Sequence, residues 1–188
     1  MAISAIIWFQ QYDGHFLDGE SQVDFARDPQ RSLVHYPPNA NIFEVEDYSF
    51  DIQQTLNIGA QSGGSGAGKV TFNPFSITRK IDKASPVLFQ MACSGTAFQT
   101  VVLVLRKSAG GSSAGVAFLK FTFKLVAVKT IAYAKSDESP KEVVTFEYGG
   151  LVIEYWPQKA DGSLGPKVVD GWNRVKNILD SDPAAIMK

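Results

Sequence analysis

The chain has 188 residues, 45% of them hydrophobic, and its 18 basic and 19 acidic side chains leave a net charge of −1. This length and balance are typical of one globular domain with a substantial core. The near-neutral charge argues against a broad basic surface for nucleic acid. No stretch approaches the roughly 20 apolar residues of a membrane span, and the N-terminal segment lacks the features of a signal peptide.

The first part of the chain predicts short strands joined by turns. Residues 6–12 indicate one strand and residues 42–58 one or two more, because both segments are rich in β-branched and aromatic side chains. Between them, residues 18–21 form a turn. Residues 24–41 carry three prolines and no clean period, which predicts a long loop with room for a short helical turn.

Two loops rich in glycine and serine divide the middle of the chain. The first covers residues 59–68 and the second covers residues 108–115. Between them, residues 70–81 favour a strand. Pro74 indicates an edge or a bulge in that strand, because proline cannot donate a ladder hydrogen bond.

One substantial helix is predicted at the centre of the chain, over about residues 85–94. Ser85 is a candidate N-cap, and Pro86 suits the first helical position, where its missing N–H costs nothing. Gly95 is a natural C-terminal stop. Residues 98–105 then predict a buried strand.

Residues 118–134 alternate in polarity as a long strand does. This pattern places Lys120 and Lys124 on the face opposite to Phe121 and Phe123.

The C-terminal part predicts a hairpin and a short helix. Residues 143–148 and 151–156 indicate two strands, and Gly149-Gly150 between them is a hairpin signal. Residues 171–179 are interpreted as a short C-terminal helix. Many short strands around one embedded helix predict a mainly β fold, either a β-barrel or a β-sandwich.

The segment Gly63–Lys69 has the G-x-x-x-x-G-K spacing of a phosphate-binding loop. Such a loop needs Ser or Thr next, to bind magnesium, and then a helix whose N-terminal amides face the phosphate. Here Val70 follows, and the next residues favour a strand broken by Pro74. We therefore predict no nucleotide site and no cofactor.

The histidines and the cysteine do not suggest a reactive site. His15, His35 and Cys93 lie far apart in the sequence, so they offer neither metal-ligand spacing nor an activated thiol. Cys93, on the predicted helix, is expected to be a small buried hydrophobic residue.

Carboxylate pairs are expected to be solvated charges on strand faces or turns. Examples are Glu44 with Glu46 and Asp137 with Glu138. The residues therefore give no positive argument for an enzyme.

The central stretch FSITRKIDKASPVLFQMACSG resembles the haemolysin-coregulated protein (Hcp) family, the tube subunit of bacterial type VI secretion. That family leads a strand through D-K-A-S-P into its single helix. The matching residues here are Phe75, Ile77, Thr78, Lys80, Asp82, Lys83, Ala84, Ser85, Pro86, Leu88 and Gly95. Residues 18–21, residues 144–149 with Glu154-Tyr155, and Gly171-Trp172 are similar to the family's first turn, last hairpin and closing G-W. The order agrees over roughly residues 5–175.

The resemblance implies a two-sheet β-barrel with one embedded helix, as a single domain over residues 1–175. Residues 176–188 would then form a partly flexible C-terminal tail. It also implies hexameric rings, stacked into a tube that a contractile sheath expels. The partners would be further copies of the chain, sheath and spike components, and small effectors in the lumen, with no nucleic acid and no membrane insertion. The protein would assemble in the bacterial cytoplasm and be secreted without a cleaved signal peptide.

In the family, the loop after the second strand reaches a neighbouring subunit or ring. The candidate contact residues of the corresponding loop are Gly59, Ser62, Gly64, Ser65, Gly66, Gly68 and Lys69. Two other classes stay open: a monomeric β-barrel that binds a small apolar ligand, and an effector enzyme whose site the residues do not reveal. Solution mass separates a ring from the ligand-binding monomer.

Overall fold

The computed structural model describes residues 3–26, 28, 30–55, 70–107, 115–135, 139–159, 163–185 and 187. Within these residues the fold is mainly β, with helices α1 (Arg31–Val34) and α2 (Ser85–Ser94) and a 3-10 helix at Asn39–Asn41. The strands are β1 (Ile3–Gln10), β2 (Phe43–Val45), β3 (Asp47–Ser49), β4 (Ile52–Gln54), β5 (Val70–Phe72), β6 (Phe75–Lys80), β7 (Ala97–Lys107), β8 (Val116–Ala134), β9 (Lys141–Tyr155), β10 (Val168–Asn173) and β11 (Ile178–Leu179).

Nine of the strands in the described ranges form one antiparallel sheet. Its order is β11-β10-β9-β8-β7-β1-β2, and β6 pairs with both β9 and β3. The chain bends at Glu46, so that β2 pairs with β1 while β3 pairs with β6. The hydrogen-bonded ladder along β2 and β3 is therefore interrupted at this bend. The predicted mainly β fold with one embedded helix is confirmed, whereas a closed barrel is not.

The single strand predicted over residues 70–81, with an edge or a bulge at Pro74, is two strands in the structure, because the chain leaves one sheet before Pro74 and joins another after it. β5, before the break, pairs with β4 in a separate two-stranded sheet. β6, after the break, joins the main sheet.

Aromatic rings fill the inner face of the main sheet. The rings of Phe75 and Phe123 stack with their centroids 4.2 Å apart, and Phe146 lies 5.8 Å from Phe75. All three side chains are fully buried. Phe123 projects inward because side chains alternate along β8, and this places Lys120 and Lys124 on the other face, as predicted.

Residues 16–42 cover the outer face of β1, β7 and β8. Phe25 and Tyr36 pack with Trp8 and Val102 in a second apolar cluster, and the rings of Trp8 and Tyr36 lie 5.8 Å apart. The predicted long loop with a short helical turn is confirmed, because α1 lies within it. Its role is to give the sheet a second core.

Two polar contacts hold this covering segment. The Arg106 guanidinium donates to the Asp28 carboxylate, and both side chains are buried. Gln30 donates through Nε2 to the Ala117 carbonyl (2.9 Å) and accepts from the Ala117 amide (2.6 Å). The segment is therefore fixed to the ends of β7 and β8.

The hairpin predicted at Gly149-Gly150 is wrong, because β9 continues through both glycines. A Cβ on Gly150 would lie 2.8 Å from Met187 Sδ, and one on Gly149 would lie 3.1 Å from the Leu125 side chain. The glycines therefore make room for side chains that pack on the strand.

The C-terminal helix predicted over residues 171–179 is also wrong. Gly171 lies in β10, a turn spans residues 174–177, and β11 returns along β10 through the pairs Trp172–Leu179 and Asn173–Ile178. The edge of β9 offers β10 a hydrogen-bonded ladder, and this tertiary contact overrides a weak local helical pattern.

The central helix has the predicted bounds, and Gly95 ends it with a positive φ of 68°. Such a left-handed residue is the usual C-terminal stop, since glycine has no Cβ to clash. Cys93 lies on the solvent side of α2 and is exposed, so the expectation of a buried thiol is wrong.

Ser85 is the first residue of α2 and not its N-cap. Ala84 occupies the cap position and makes no side-chain cap bond. The Asp82 carboxylate accepts from the Ala84 amide at 2.8 Å, while the Ser85 hydroxyl donates to Glu142 Oε1 at 2.9 Å. The serine therefore ties the helix to β9.

Candidate assembly surface

One edge of the main sheet is free along β10. This strand pairs with β9 over its whole length but with β11 only through Trp172 and Asn173. Within the described ranges, no strand pairs with the outer side of Val168–Asp170. An unpaired strand edge presents N–H and C=O groups that another chain can extend.

Exposed apolar side chains surround this free edge. Val168 is 62% exposed and Leu179 is 65% exposed, and Val168 stands opposite Tyr155 in the ladder. We call this surface the apolar edge patch, which consists of Ile52, Ile153, Tyr155, Val168 and Leu179. A contiguous apolar surface next to an open strand is typical of a protein interface.

The other end of the sheet is different in character. A groove of about 700 Å³ runs beside β1, β2 and β3, and exposed carboxylates of Glu44, Glu46 and Asp47 line it. Glu46 pairs with Lys141 Nζ at 2.7 Å. The predicted solvation of Glu44 and Glu46 is confirmed, while Asp137 and Glu138 lie outside the described residues. We call this surface the acidic groove.

A buried ionic cluster fixes α2 behind the acidic groove. The Arg79 guanidinium donates to the Asp82 carboxylate and lies 3.3 Å from Glu142 Oε1. It also lies 4.7 Å from the centre of the Phe43 ring. Burial raises the pKa of the Glu142 carboxyl, and the Ser85 hydroxyl and Arg79 offset part of that rise.

This cluster was missed at the level of sequence, although a signal was present. Phe75, Ile77 and Arg79 alternate along one strand, so Arg79 falls on the buried face of β6. An inward arginine three residues before Asp82 indicates a buried ion pair.

A second buried carboxylate lies on the outer face of the sheet. Glu154 is 1% exposed and lies 3.0 Å from Lys120 Nζ and 2.7 Å from Lys167 Nζ. Burial alone acts to raise the pKa of Glu154, but the two ammonium groups outweigh it and leave that pKa lowered. The sequence predicted this polar face of β8 without showing that the chain covers it.

The predicted contact loop cannot be placed on these surfaces. Gly59, Ser62, Gly64, Ser65, Gly66, Gly68 and Lys69 all lie outside the described residues, as does the phosphate-loop-like segment Gly63–Lys69. In the ranges that the structure describes, no group of three histidine, cysteine or acidic side chains is placed to hold a metal ion. In the same ranges, no helix has the length and hydrophobicity to cross a membrane.

A mainly β domain with a free apolar sheet edge has the features of a subunit that associates through its edges. Residues 34–155 match the family described as "Type VI secretion system effector, Hcp". Protein hcp1 of Pseudomonas aeruginosa is 36% identical over 113 residues, which cover 58% of this chain and 68% of that protein. The chain belongs to the Hcp family.

Solved structures agree with this assignment at the level of the fold. "Structure of a type six secretion system protein" superposes with a TM-score of 0.76 at 24% identity, covering 95% of this chain and all of that one. Hcp1 from Salmonella typhimurium superposes with a TM-score of 0.65 at 22% identity, covering 96% of this chain and all of that one.

Proposed function

We propose that the protein is a tube subunit of a type VI secretion system, without catalytic activity. Subunits close into hexameric rings, and the rings stack into a tube that a contractile sheath expels. The partners are other copies of the chain, sheath and spike components, and small effectors in the lumen. Assembly takes place in the bacterial cytoplasm, and the tube is then secreted. Membership of the Hcp family supports this proposal.

The observation that best supports a ring is the free edge of β10 with its apolar edge patch. A cyclic ring needs two unlike surfaces on each subunit, because every contact is head to tail. The apolar edge patch and the acidic groove lie at the two ends of the strand order and differ in polarity. Lys176, exposed in the turn before β11, has the charge opposite to that of the carboxylates in the groove.

The test is the solution mass of the protein and of two matched variants. The parent is expected to sediment as a closed oligomer of about six subunits. Val168→Glu places a charge on the free edge and should leave monomers, since an unpaired charge is costly in an interface. Phe89→Glu changes an equally apolar residue that is 55% exposed on α2, and it should assemble like the parent.

A parent protein that stays monomeric at all concentrations would refute the ring and favour the ligand-binding monomer. A ring that survives Val168→Glu would place the interface elsewhere. Contact by the loop at residues 59–69 stays a prediction.

A further inference from the structure

The C-terminal arm, residues 175–187, is held to β10 by the two pairs of β11, by the Asp180 amide, which donates to the Gly171 carbonyl at 3.1 Å, and by the Ser181 hydroxyl, which donates to Asp170 at 3.2 Å. Its strand β11 has two residues, Ile178 and Leu179, which are 50% and 65% exposed. The preceding turn contains Asn177 with a positive φ of 54° and Val175, which is 66% exposed. In its own subunit the arm thus leaves three large apolar side chains in water.

A buried lysine holds the arm at the residues that follow β11. Lys124 Nζ donates to the Asp182 carbonyl and lies 3.4 Å from Asp180 Oδ2. The Lys124 side chain is 1% exposed, so the arm both buries this cation and supplies the oxygens that neutralise it. A buried ammonium needs such partners to avoid a large desolvation cost.

A methionine forms the second grip. Met187 is 7% exposed and fills the space above Gly149 and Gly150, where a Cβ on Gly150 would lie 2.8 Å from its sulfur. The Tyr12 hydroxyl donates to the Met187 carbonyl at 2.7 Å. Lys124, Tyr12 and the two glycines therefore form a seat that recognises oxygen atoms that accept hydrogen bonds and a flexible apolar side chain.

Between the two grips the arm is a self-contained turn. The Asp182 carboxylate accepts from the Ala184 amide at 2.9 Å, and the Asp182 carbonyl accepts from the Ala185 amide at 3.3 Å. Asp182 and Ala184 are both exposed. The arm therefore carries its own local hydrogen bonds, and either the parent subunit or a neighbour can present it to a seat.

We propose that the arm is exchanged between copies of the chain, so that residues 180–187 of one subunit occupy the Lys124 and Gly149-Gly150 seat of the next. The inference rests on the proposed ring, which brings identical seats close together. The contacts within the seat are the same in both arrangements, and this is the condition for exchange of an element between protomers. The difference is that Val175 and Ile178, which lie outside the apolar edge patch, become covered at the junction between subunits, and apolar burial favours that state.

The experiment asks which subunit supplies each arm. The full chain is produced with photoactivatable methionine, once unlabelled and once fully labelled with nitrogen-15. The two forms are mixed as unfolded chains, refolded together and irradiated. Mass spectrometry then identifies crosslinks that join residue 187 to the β9 peptide containing Gly149-Gly150. Exchange predicts mixed-isotope crosslinks in the proportion expected for random pairing.

Light scattering of the same samples separates this proposal from the ring itself. Rings with only same-isotope crosslinks would overturn arm exchange and leave the ring intact. Mixed crosslinks without rings would support exchange and refute the hexamer, whereas monomers with same-isotope crosslinks would refute both. Lys124→Leu removes the ionic grip, keeps an apolar side chain and adds no photoactivatable residue, so most of the crosslinks from residue 187 to β9 should be lost.

Discussion

Two segments of the molecule are attached to the sheet through a buried cationic side chain. They differ in the groups that neutralise that cation. The loop that leads into α2 is held by Arg79, which contacts the carboxylates of Asp82 on that loop and Glu142 on β9, where the three side chains are 1%, 14% and 0% exposed. The C-terminal arm is held by Lys124, which contacts one backbone carbonyl and the carboxylate of Asp180, whose side chain is 19% exposed. The first cation has a rigid fork of donors and two fixed acids, and the second has a flexible stem and one distant acid.

This difference indicates which attachment is permanent. Arg79 and Glu142 face each other across the β6–β9 ladder, so their ion pair stays closed whenever the sheet is folded. Opening the arm would return Lys124, Asp180 and Asp182 to water together, and each would be solvated there. The arm can therefore leave its seat while the domain remains folded.

The largest expected effect comes from breaking the α2 site. Arg79→Met should lower the free energy of unfolding by about 3–5 kcal/mol, because it leaves Glu142 buried without its cation. Urea denaturation measures this loss. Lys129→Met is the matched control, since Lys129 makes an ion pair of 2.8 Å with Glu147 at a site where both side chains are more than a third exposed. The control should cost about 0–1 kcal/mol, and an equal loss in both variants would contradict the comparison.

A smaller and more local effect is expected from the arm. Lys124→Met removes a charge-assisted hydrogen bond worth about 1.5–3 kcal/mol. Most of that loss should appear as opening of the arm, because Asp180 and Asp182 can return to water. Hydrogen exchange should accelerate over residues 180–187 and stay unchanged in β7. Equal acceleration in both segments would show that the arm is part of the permanent core.

The smallest effect is a dependence on pH at Glu147, whose carboxylate pairs with Arg174 directly before the arm. Lys129, the largest contributor, and Arg174 hold the pKa of the Glu147 carboxyl below its ordinary value. A lowered carboxyl pKa in the folded state adds stability above the unfolded pKa, and that stability is lost as pH falls through the folded pKa. Glu147 is 40% exposed, so the contribution is about 0–1 kcal/mol.

Glu147→Gln is expected to lower the free energy of unfolding slightly at neutral pH and to match the parent in acid. Chemical denaturation at both pH values measures the difference. A gap that widens in acid would contradict the assigned direction of the pKa.

The sequence predicted the elements whose signals are local. Gly95 and the apolar period gave the bounds of α2, and the alternation around Phe121 and Phe123 gave the inner face of β8. The D-K-A-S-P segment gave the family. Each of these signals depends on backbone preference or on side chains within one element, and no distant contact was needed to interpret them.

The errors arose where a distant segment decides the local structure. Gly149 and Gly150 indicated a turn. In the structure they lie within a strand, and the packing of Met187 and Leu125 against them leaves no room for a Cβ. The segment around Trp172 became a strand because β9 offered it a ladder. The buried state of Lys124 depends on an arm that starts some fifty residues later in the sequence. No local pattern contains that information.

The long ladder between β8 and β9 has a mechanical consequence. β8 has 19 residues and, at roughly 3.3 Å per residue, a contour length of about 60 Å, with an irregularity at Leu125, whose φ is 50°. It is laddered to β9 from the pair Leu119–Tyr155 to the pair Ala134–Lys141. Cross-strand hydrogen bonds lie perpendicular to the strands, so a pull along β8 loads the whole ladder in shear, whereas a pull across its tip opens the bonds one by one. The domain is therefore stiff against tension in one direction and weak against peeling in another.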